Sequence, residues 1–248
     1  MLPNQFGELA PYYNQLMSGV PYNLWVNYIE RILSDLNFTP KTILDVACGT
    51  GTVSEILSDK GFKVTGIDLS ADMIEVAKKH KSEVEYLVAD ASTMQLNKKF
   101  DMAISLFDSL NYITNDNVLA QAMKRVSEHL VDGGLFVFDV NTIYALSKNF
   151  FNQANLESTF YPKYVWRSNY DKSTRICTVN MSFQVLDENK ELKEFKEVHV
   201  QKGYPLDALS AMMKNAGFEV VEVYQAYKFT KPNRRSDRVY FIGRKINE

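Results

Sequence analysis

The sequence predicts an α/β fold with a mostly parallel, doubly wound sheet of seven strands and an antiparallel β insertion after the fifth strand. Two observations predict it. Between residues 42 and 140, short apolar runs alternate with stretches of helical periodicity. Between about 160 and 203 this alternation gives way to strand-like runs joined by polar turns. The first pattern is typical of a parallel sheet covered on both faces, and the second of a sheet with one covered face.

The elements follow in order along the chain. A helix is predicted for "YNLWVNYIERILSDL", where Leu24, Tyr28, Ile32 and Leu36 share one face. Five strands then alternate with helices, and their apolar runs are nearly continuous. The strands are "TILDVA", "FKVTGIDL", "VEYLVAD", "FDMAISLF" and "GLFVFDV", and the helices are "TVSEILSDKG", "SADMIEVAKKH" and "NDNVLAQAMKRVSEHL".

The insertion is predicted for residues 146–203, which interrupt a core formed by residues 1–145 and 204–248. Its strands are "KYVWRSNY", "RICTVNMSFQVLD" and "LKEFKEVHVQKGY". In the second strand every other residue from Cys177 to Val185 is apolar, which predicts one buried face. A helix in "LDALSAMMKNAGF" and strands in "EVVEVYQAY" and "RVYFIGRK" complete the core.

Composition narrows the class of protein. The 248 residues carry a net charge of −2, so no global charge attracts the chain to nucleic acid or to an anionic membrane. No apolar run is long enough to span a bilayer, and the N-terminus does not resemble a signal peptide. Two cysteines favour a cytoplasmic protein without disulfides. No residue cluster has metal-ligand spacing, so no metal is expected.

Three carboxylates follow three successive strands, at the edge where an open α/β sheet binds ligands. They are Asp45, Asp68 and Asp90, and a loop with Gly49 and Gly51 follows the first. The third glycine of a dinucleotide fingerprint is replaced by Ser54, and Asp45 would repel a pyrophosphate. A ribose suits Asp68, an adenine amino group suits Asp90, and a cationic amino acid suits Asp45. Together these groups describe S-adenosylmethionine.

Five motifs extend this interpretation to a family. "ILDVACGTG", "VTGIDLS", "VAD", "FDMAISLFDSLNYI" and "LVDGGLFVFDV" resemble, in order and spacing, the motifs of class I S-adenosylmethionine-dependent methyltransferases, which have a Rossmann-like fold. The resemblance covers residues 36 to 145. "YNLW", "SLNY" and "FKEVHVQKGYPLDAL" are similar to a bacterial branch of small-molecule type whose acceptors are mostly unassigned. S-adenosylhomocysteine is then the expected product.

The resemblance implies a role for each matching position. Asp45 and the loop of Ala47, Cys48, Gly49 and Gly51 would hold the methionine part, and Asp68 would bind the ribose. Leu69, Met73, Asp90 and Ala91 would surround the adenine. Phe107 and Asn111 would lie where the methyl group emerges, and Tyr12 and Tyr13 would cover the cofactor.

Candidate catalytic and acceptor-binding residues follow from position. A general base is needed only if the acceptor holds its proton at neutral pH, and Asp108, Tyr112 and His199 are the candidates. The insertion leaves the core at the ligand-binding edge, so it can cover the crevice. Its expected acceptor-binding groups are Trp166, Arg167, His199 and Tyr204.

The sequence leaves open other functions for the protein and another role for the insertion. The basic residues of "KFTKPNRRSDR" would suit an RNA methyltransferase, although "FDSLNY" lacks the Asn/Asp-Pro-Pro-aromatic run of enzymes that hold a flipped base. A cofactor-binding regulator without turnover would also keep the glycine loop. A nicotinamide oxidoreductase is disfavoured by Asp45 and Ser54. The insertion could form a homodimer interface instead of a cover.

Overall fold

A computed structural model describes residues 5–148 and 150–246. Residues 1–4, 247 and 248 of the predicted core, and residue 149 of the predicted insertion, lie outside this description. The main sheet has seven strands in the order β10-β11-β5-β4-β1-β2-β3. Strands β3, β2, β1, β4 and β5 are parallel, and β11 runs antiparallel to both of its neighbours. This confirms the predicted doubly wound, mostly parallel sheet. The core strands are β1 Thr42–Val46, β2 Lys63–Asp68, β3 Glu85–Val88, β4 Phe100–Ser105, β5 Leu130–Asn141, β10 Phe218–Gln225 and β11 Arg238–Lys245.

Helices cover both faces of this sheet. Apolar residues of α2, α3 and α4 pack on one face, and those of α5 and α7 on the other. The helices are α1 Tyr13–Leu16, α2 Tyr22–Asp35, α3 Thr52–Asp59, α4 Ala71–Ala77, α5 Asp116–Glu128, α6 Ile143–Ser147 and α7 Leu206–Asn215. In the described residues, no helix has the length and apolar character of a membrane span.

The insertion forms a second, antiparallel sheet in the order β6-β7-β8-β9. Its strands are β6 Gln153–Ala154, β7 Lys163–Asp171, β8 Ile176–Leu186 and β9 Leu192–Lys202. The predicted apolar face of β8 is buried, from Cys177 to Val185. On β9 the matching face holds Phe195, Glu197, His199 and Gln201, which are all buried. The sheet therefore presents a mixed apolar and polar inner face to the rest of the protein.

The N-terminal segment (residues 5–16) packs against this inner face. It contains a 3₁₀ turn at Ala10–Tyr12 and the short helix α1. Leu9 is buried among the β8 residues, and the ring of Tyr12 stacks on Phe195 with centroids 6.0 Å apart. The edge strand β9 is covered as well, because the Val200 backbone N–H donates to Gln5 Oε1. Segment and insertion thus form one packed unit beside the ligand-binding edge.

Candidate active site

The crevice lies beyond the carboxyl ends of β1 and β4, where the strand order reverses. The loop after β1 has positive φ at Ala47, Gly49 and Gly51. At Gly51 a side chain is also excluded by space, since an added Cβ would collide with the hydroxyl of Tyr86. At Gly49 an added Cβ would meet nothing within 4 Å. The backbone of this loop is therefore bent sharply and open on the side of Gly49, as close approach of a ligand requires.

Asp45, the penultimate residue of β1, is a buried carboxylate, only 3% exposed. Its Oδ2 accepts a hydrogen bond of 2.6 Å from the hydroxyl of Ser54 in α3. Burial raises the pKa of Asp45 to about 7; the Ser54 hydroxyl opposes the rise and Asp68 adds to it. The residue that replaces the third glycine of the dinucleotide fingerprint thus holds the carboxylate in place.

Asp68 ends β2 and organises two neighbouring turns. Its Oδ2 accepts from the backbone N–H of Gly49 and its Oδ1 from that of Ser70, both at 2.8 Å. Ser70 in turn caps α4 by accepting from the Met73 N–H. Burial raises the pKa of Asp68, and the backbone donors oppose the rise. Each carboxylate oxygen keeps a second lone pair for a ligand hydroxyl.

The expected adenine-binding positions lie beside these turns. Met73 is buried, Ala91 is packed against the core, and Leu69 is 70% exposed. Asp90 follows β3, and its Oδ1 accepts from both the backbone N–H and the hydroxyl of Ser92 at 2.7 Å.

Cys48 belongs to the loop after β1, and burial raises the pKa of its thiol. The thiol is therefore protonated and unreactive at neutral pH.

The charge of this end of the crevice suits a cationic ligand. Neither Asp45 nor Asp68 has a Lys or Arg ion-pair partner among the residues of the two described ranges. Desolvated carboxylates without a cation are unfavourable and attract a positive group. S-adenosylmethionine carries a sulfonium and an ammonium, so the residues present fit it.

On the β4 side, four residues form the acid–arginine cluster: Asp108, Asp139, Gln201 and Arg238. The Arg238 guanidinium pairs with Asp108 Oδ1 and with Asp139. Gln201 donates to the other oxygen of Asp108. Asp139 also accepts from the backbone N–H groups of Phe107 and Asp108, both of which have positive φ. The cluster thus fixes the turn after β4, and both oxygens of Asp108 are occupied.

A second polar group lines the crevice between the insertion and the N-terminal segment. The hydroxyl of Tyr112 lies 3.2 Å from His199 Nδ1, and His199 Nε2 lies 2.7 Å from Glu197. Tyr13 is close to this group, since Tyr22, Tyr112, Asp108 and Asp68 all add to the rise in its pKa that burial causes. The structure therefore places Tyr13 near Asp68, Asp108 and Tyr112, and Tyr112 beside His199.

Other expected residues lie elsewhere. The amide of Asn111 is fully buried and joins the backbones of Asn141 and Lys202. Tyr204 is part of the sheet core, and its hydroxyl donates to the Ile113 carbonyl. Arg167 is exposed on the outer face of β7, because side chains alternate along a strand and Trp166 takes the inner face. Asn111 and Tyr204 are thus engaged by partners inside the protein, and Arg167 is exposed to solvent.

Comparison with known proteins decides the family. Residues 43–134 match the family model described as a methyltransferase domain. A Bacillus subtilis (strain 168) protein named as a methyltransferase, YqeM, is 31% identical over 240 residues, covering 95% of each chain. The chain belongs to the S-adenosylmethionine-dependent methyltransferases. A crystal structure of an S-adenosylmethionine-dependent methyltransferase from Clostridium acetobutylicum has a TM-score of 0.84 at 26% identity and covers 95% of this chain and 96% of that one.

A more distant relative of the methyltransferase has a sugar substrate in its name. The dTDP-3-amino-3,4,6-trideoxy-alpha-D-glucopyranose N,N-dimethyltransferase of Streptomyces venezuelae is 26% identical over 179 residues, which are 72% of this chain and 76% of that protein. The predicted family, cofactor and enzyme class are confirmed by these matches.

Sequence reasoning missed four polar residues of the candidate site: Ser54, Asp139, Glu197 and Arg238. Ser54 was visible as the break in the glycine fingerprint. Arg238 belongs to a basic segment whose other residues, such as Arg234 and Arg235, are exposed. Its partner Asp108 lies 130 residues away, so no local pattern distinguishes it. Glu197 lies on the same face of β9 as His199. This two-residue spacing is the sequence signal that could have identified Glu197 as a partner of His199.

The Asp45 carboxyl makes ligand binding depend on pH. Because its pKa is raised to about 7, the carboxyl becomes protonated as the pH falls through neutrality and no longer attracts a cation. We expect S-adenosylmethionine affinity, measured by calorimetry, to rise between pH 5 and pH 7.5, a range in which an α-ammonium stays mostly charged.

The pH dependence of folding stability has the opposite sign to that of cofactor affinity. A raised carboxyl pKa means that the folded state binds the proton more tightly than the unfolded state, so the unliganded methyltransferase loses stability as the pH rises from about 4 to about 7. In Asp45→Asn both dependences should become weaker, and the remainder belongs to other buried carboxyls whose pKa is raised, such as Asp68 and Asp108. An unchanged pH profile in this variant would show that another group is responsible.

Proposed function

We propose that this enzyme transfers the methyl group of S-adenosylmethionine to a nitrogen or oxygen of a small-molecule acceptor. The observation that carries the proposal is the enclosure of the candidate base. The ring of Phe6 packs 4.5 Å from the His199 ring and 5.3 Å from that of Tyr112, centroid to centroid. An acceptor that reaches Tyr112 must therefore fit between the N-terminal segment, the insertion and the turn after β4.

In this proposal the carboxylates hold the cofactor. Asp45 and the loop from Ala47 to Gly51 bind the amino acid part, and Asp68 accepts from the ribose hydroxyls. Leu69, Met73, Asp90 and Ala91 surround the adenine, and Phe107, Tyr12 and Tyr13 border the methyl-transfer end. When bound, S-adenosylmethionine supplies a methyl group on a sulfonium, which leaves as a neutral thioether. The protein's main task is then to align the acceptor and exclude water.

Among the three base candidates, Tyr112 and His199 are better placed than Asp108. Both oxygens of Asp108 are engaged by Arg238 and Gln201. The half-buried Tyr112 faces the crevice, while His199 lies behind it at 1% exposure. The Tyr112 hydroxyl can take a proton from the acceptor as it passes its own to His199.

Label transfer tests the proposed function. The enzyme is incubated with methyl-tritiated S-adenosylmethionine and either the low-molecular-mass fraction or the RNA fraction of a bacterial extract. We expect label in the low-molecular-mass fraction. Label confined to RNA would favour the RNA methyltransferase alternative. Binding of S-adenosylhomocysteine without transfer to either fraction would favour a regulator.

We further propose that the insertion, residues 146–203, covers the acceptor. The inner face of its sheet supplies His199 and packs on the N-terminal segment. Trp166 lies on that face beside Tyr164, with ring centroids 4.9 Å apart. Its buried Nε1 has no hydrogen-bond partner in the part of the chain that the structure describes. An acceptor oxygen would satisfy this donor, so Trp166 is the side chain of the insertion that we expect to contact the acceptor.

Substitution of Trp166 separates a cover from a dimer interface. Trp166→Phe removes the indole N–H and keeps an aromatic ring, so we expect slower transfer to the low-molecular-mass fraction. S-adenosylhomocysteine affinity should stay within about threefold, a difference below 1 kcal/mol. Asn169→Ala, on the exposed outer face of the same strand, is the control. A variant that dissociates an oligomer on a sizing column and keeps full transfer would identify the sheet as an interface instead.

A further inference from the structure

Three side chains form a hydrogen-bonded chain that leads from the crevice into the protein. Tyr112 is half-buried at its outer end, and His199 and Glu197 are buried at 1% and 6% exposure. The two contacts are 3.2 Å between Tyr112 Oη and His199 Nδ1 and 2.7 Å between His199 Nε2 and Glu197 Oε2. A phenol, an imidazole and a carboxylate in this order can move a proton away from the crevice.

The surroundings of Glu197 determine which nitrogen of His199 carries the proton. Glu197 Oε1 accepts from the Leu9 backbone N–H at 2.9 Å, and Oε2 accepts from that of Phe6 at 3.0 Å. With two backbone donors already present, the carboxylate accepts from His199 as well. The imidazole proton therefore lies on Nε2, and the lone pair of Nδ1 points to the Tyr112 hydroxyl.

The same carboxylate anchors the N-terminal segment. Phe6 and Leu9, whose backbones bind Glu197, precede Tyr12 and Tyr13 by only a few residues. The ring of Phe6 also lies against Tyr13, with centroids 6.0 Å apart. Asn14 reaches the glycine loop, where its Oδ1 accepts from the Thr50 hydroxyl. One segment therefore contacts both the imidazole chain and the expected cofactor loop.

We propose that Glu197 is a positioning residue that couples the seating of the N-terminal segment to the orientation of His199. Tyr112 is then ready to accept a proton only when the segment covers the crevice. This inference rests on the proposed function and names its acceptor class: a compound whose nitrogen or oxygen arrives with a proton, as an ammonium or a hydroxyl. As a hydroxyl oxygen forms its bond to the methyl carbon and the bond from the methyl carbon to sulfur breaks, its proton passes to Tyr112 and the tyrosine proton passes to His199 Nδ1. An ammonium first gives up its proton by the same path, and the electron pair freed on nitrogen then forms the bond to the methyl carbon. Glu197 stabilises the resulting imidazolium, which later releases the proton to solvent.

The tautomer of His199, which reports its orientation in the hydrogen-bonded chain, can be measured without an acceptor. In ¹⁵N-labelled protein, long-range proton–nitrogen spectra report which imidazole nitrogen is protonated. We expect the Nε2–H form for His199 in the wild type, with its signals assigned by their loss in His199→Gln. In Glu197→Gln one acceptor oxygen remains for three donors, so both tautomers should appear. Hydrogen exchange of the Phe6 and Leu9 backbone amides should accelerate by at least about tenfold, because these amides share the weakened acceptor. Glu194→Gln, exposed on the same strand, is the matched control.

Turnover distinguishes positioning from mere anchoring. In His199→Gln the carboxylate still holds Phe6 and Leu9, so amide protection and S-adenosylhomocysteine affinity should remain within about threefold. Transfer of tritium to the low-molecular-mass fraction should fall by about 100-fold, as expected for loss of a proton acceptor. Full turnover in His199→Gln, or a wild-type His199 protonated on Nδ1, would overturn the proposal. Absence of transfer by the wild type would contradict the proposed function itself, and the His199 tautomer would still decide the role of Glu197.

Discussion

Replacement of Arg238 by alanine is expected to lower the free energy of unfolding by about 3–5 kcal/mol, the range found when one partner of a buried ion pair is removed. The guanidinium bridges two buried carboxylates, and its side chain is only 18% exposed. Without it, Asp108 and Asp139 are left together with no cation. For a chain of this size the melting temperature should fall by roughly 6–20 °C, measured by calorimetry.

The loss should depend on pH. Burial raises the pKa of Asp108 and Arg238 opposes that rise. In the variant the folded state therefore favours a protonated carboxyl, and the destabilisation should be smaller at pH 5 than at pH 8. Asp108→Asn in the Arg238→Ala background should restore part of the stability. The exposed Arg234, replaced by alanine, is the control. If both arginine variants melt alike, the cluster contributes nothing to stability.

Asp68→Ala is expected to weaken S-adenosylhomocysteine binding by at least about tenfold, measured by calorimetry. In the proposed binding mode the variant loses charge-assisted hydrogen bonds to the ribose, which are worth roughly 1.5–3 kcal/mol each. It also loses the acceptor that holds the Gly49 backbone N–H in the cofactor loop. Both losses act in the same direction, so the effect on affinity should be among the largest of any single substitution.

Asp72→Ala provides the matched control, because Asp72 is an exposed acid in the first turn of α4, four residues further along the chain. Its variant should bind S-adenosylhomocysteine as the wild type does. Circular dichroism establishes that both variants are folded. Unchanged affinity in a folded Asp68→Ala protein would remove Asp68 from the cofactor site.

The sequence predicts the sheet and the insertion well because their patterns are local. Alternation along β8 identifies its buried face. The face of α2 is predicted less well. Leu24 is 61% exposed, and the buried face instead includes Trp25 and Ile29. Aromatic packing of Trp25 against Phe107 selects this face, and that contact joins elements far apart in sequence.

Polar residues of the site are harder to predict because their partners are distant. Outside the site, His129 is 6% exposed, and its Nε2 accepts from the backbone N–H of Leu96, 33 residues earlier in the chain. Glu197 contacts Phe6 and Leu9 across almost the whole chain. Such pairs form only after the sheets assemble, so residue spacing carries no trace of them.

The position of β11 has a consequence for synthesis of the chain on the ribosome. This strand is the last of the seven to be made, yet it lies between β5 and β10. Until it is added, β5 has an open edge beside Phe136 and Phe138, and unpaired apolar edges promote aggregation. Arg238, the first residue of β11, arrives at the same moment to neutralise Asp108 and Asp139. A nascent chain that stops before residue 238 therefore has an incomplete sheet and lacks the cation that neutralises Asp108 and Asp139.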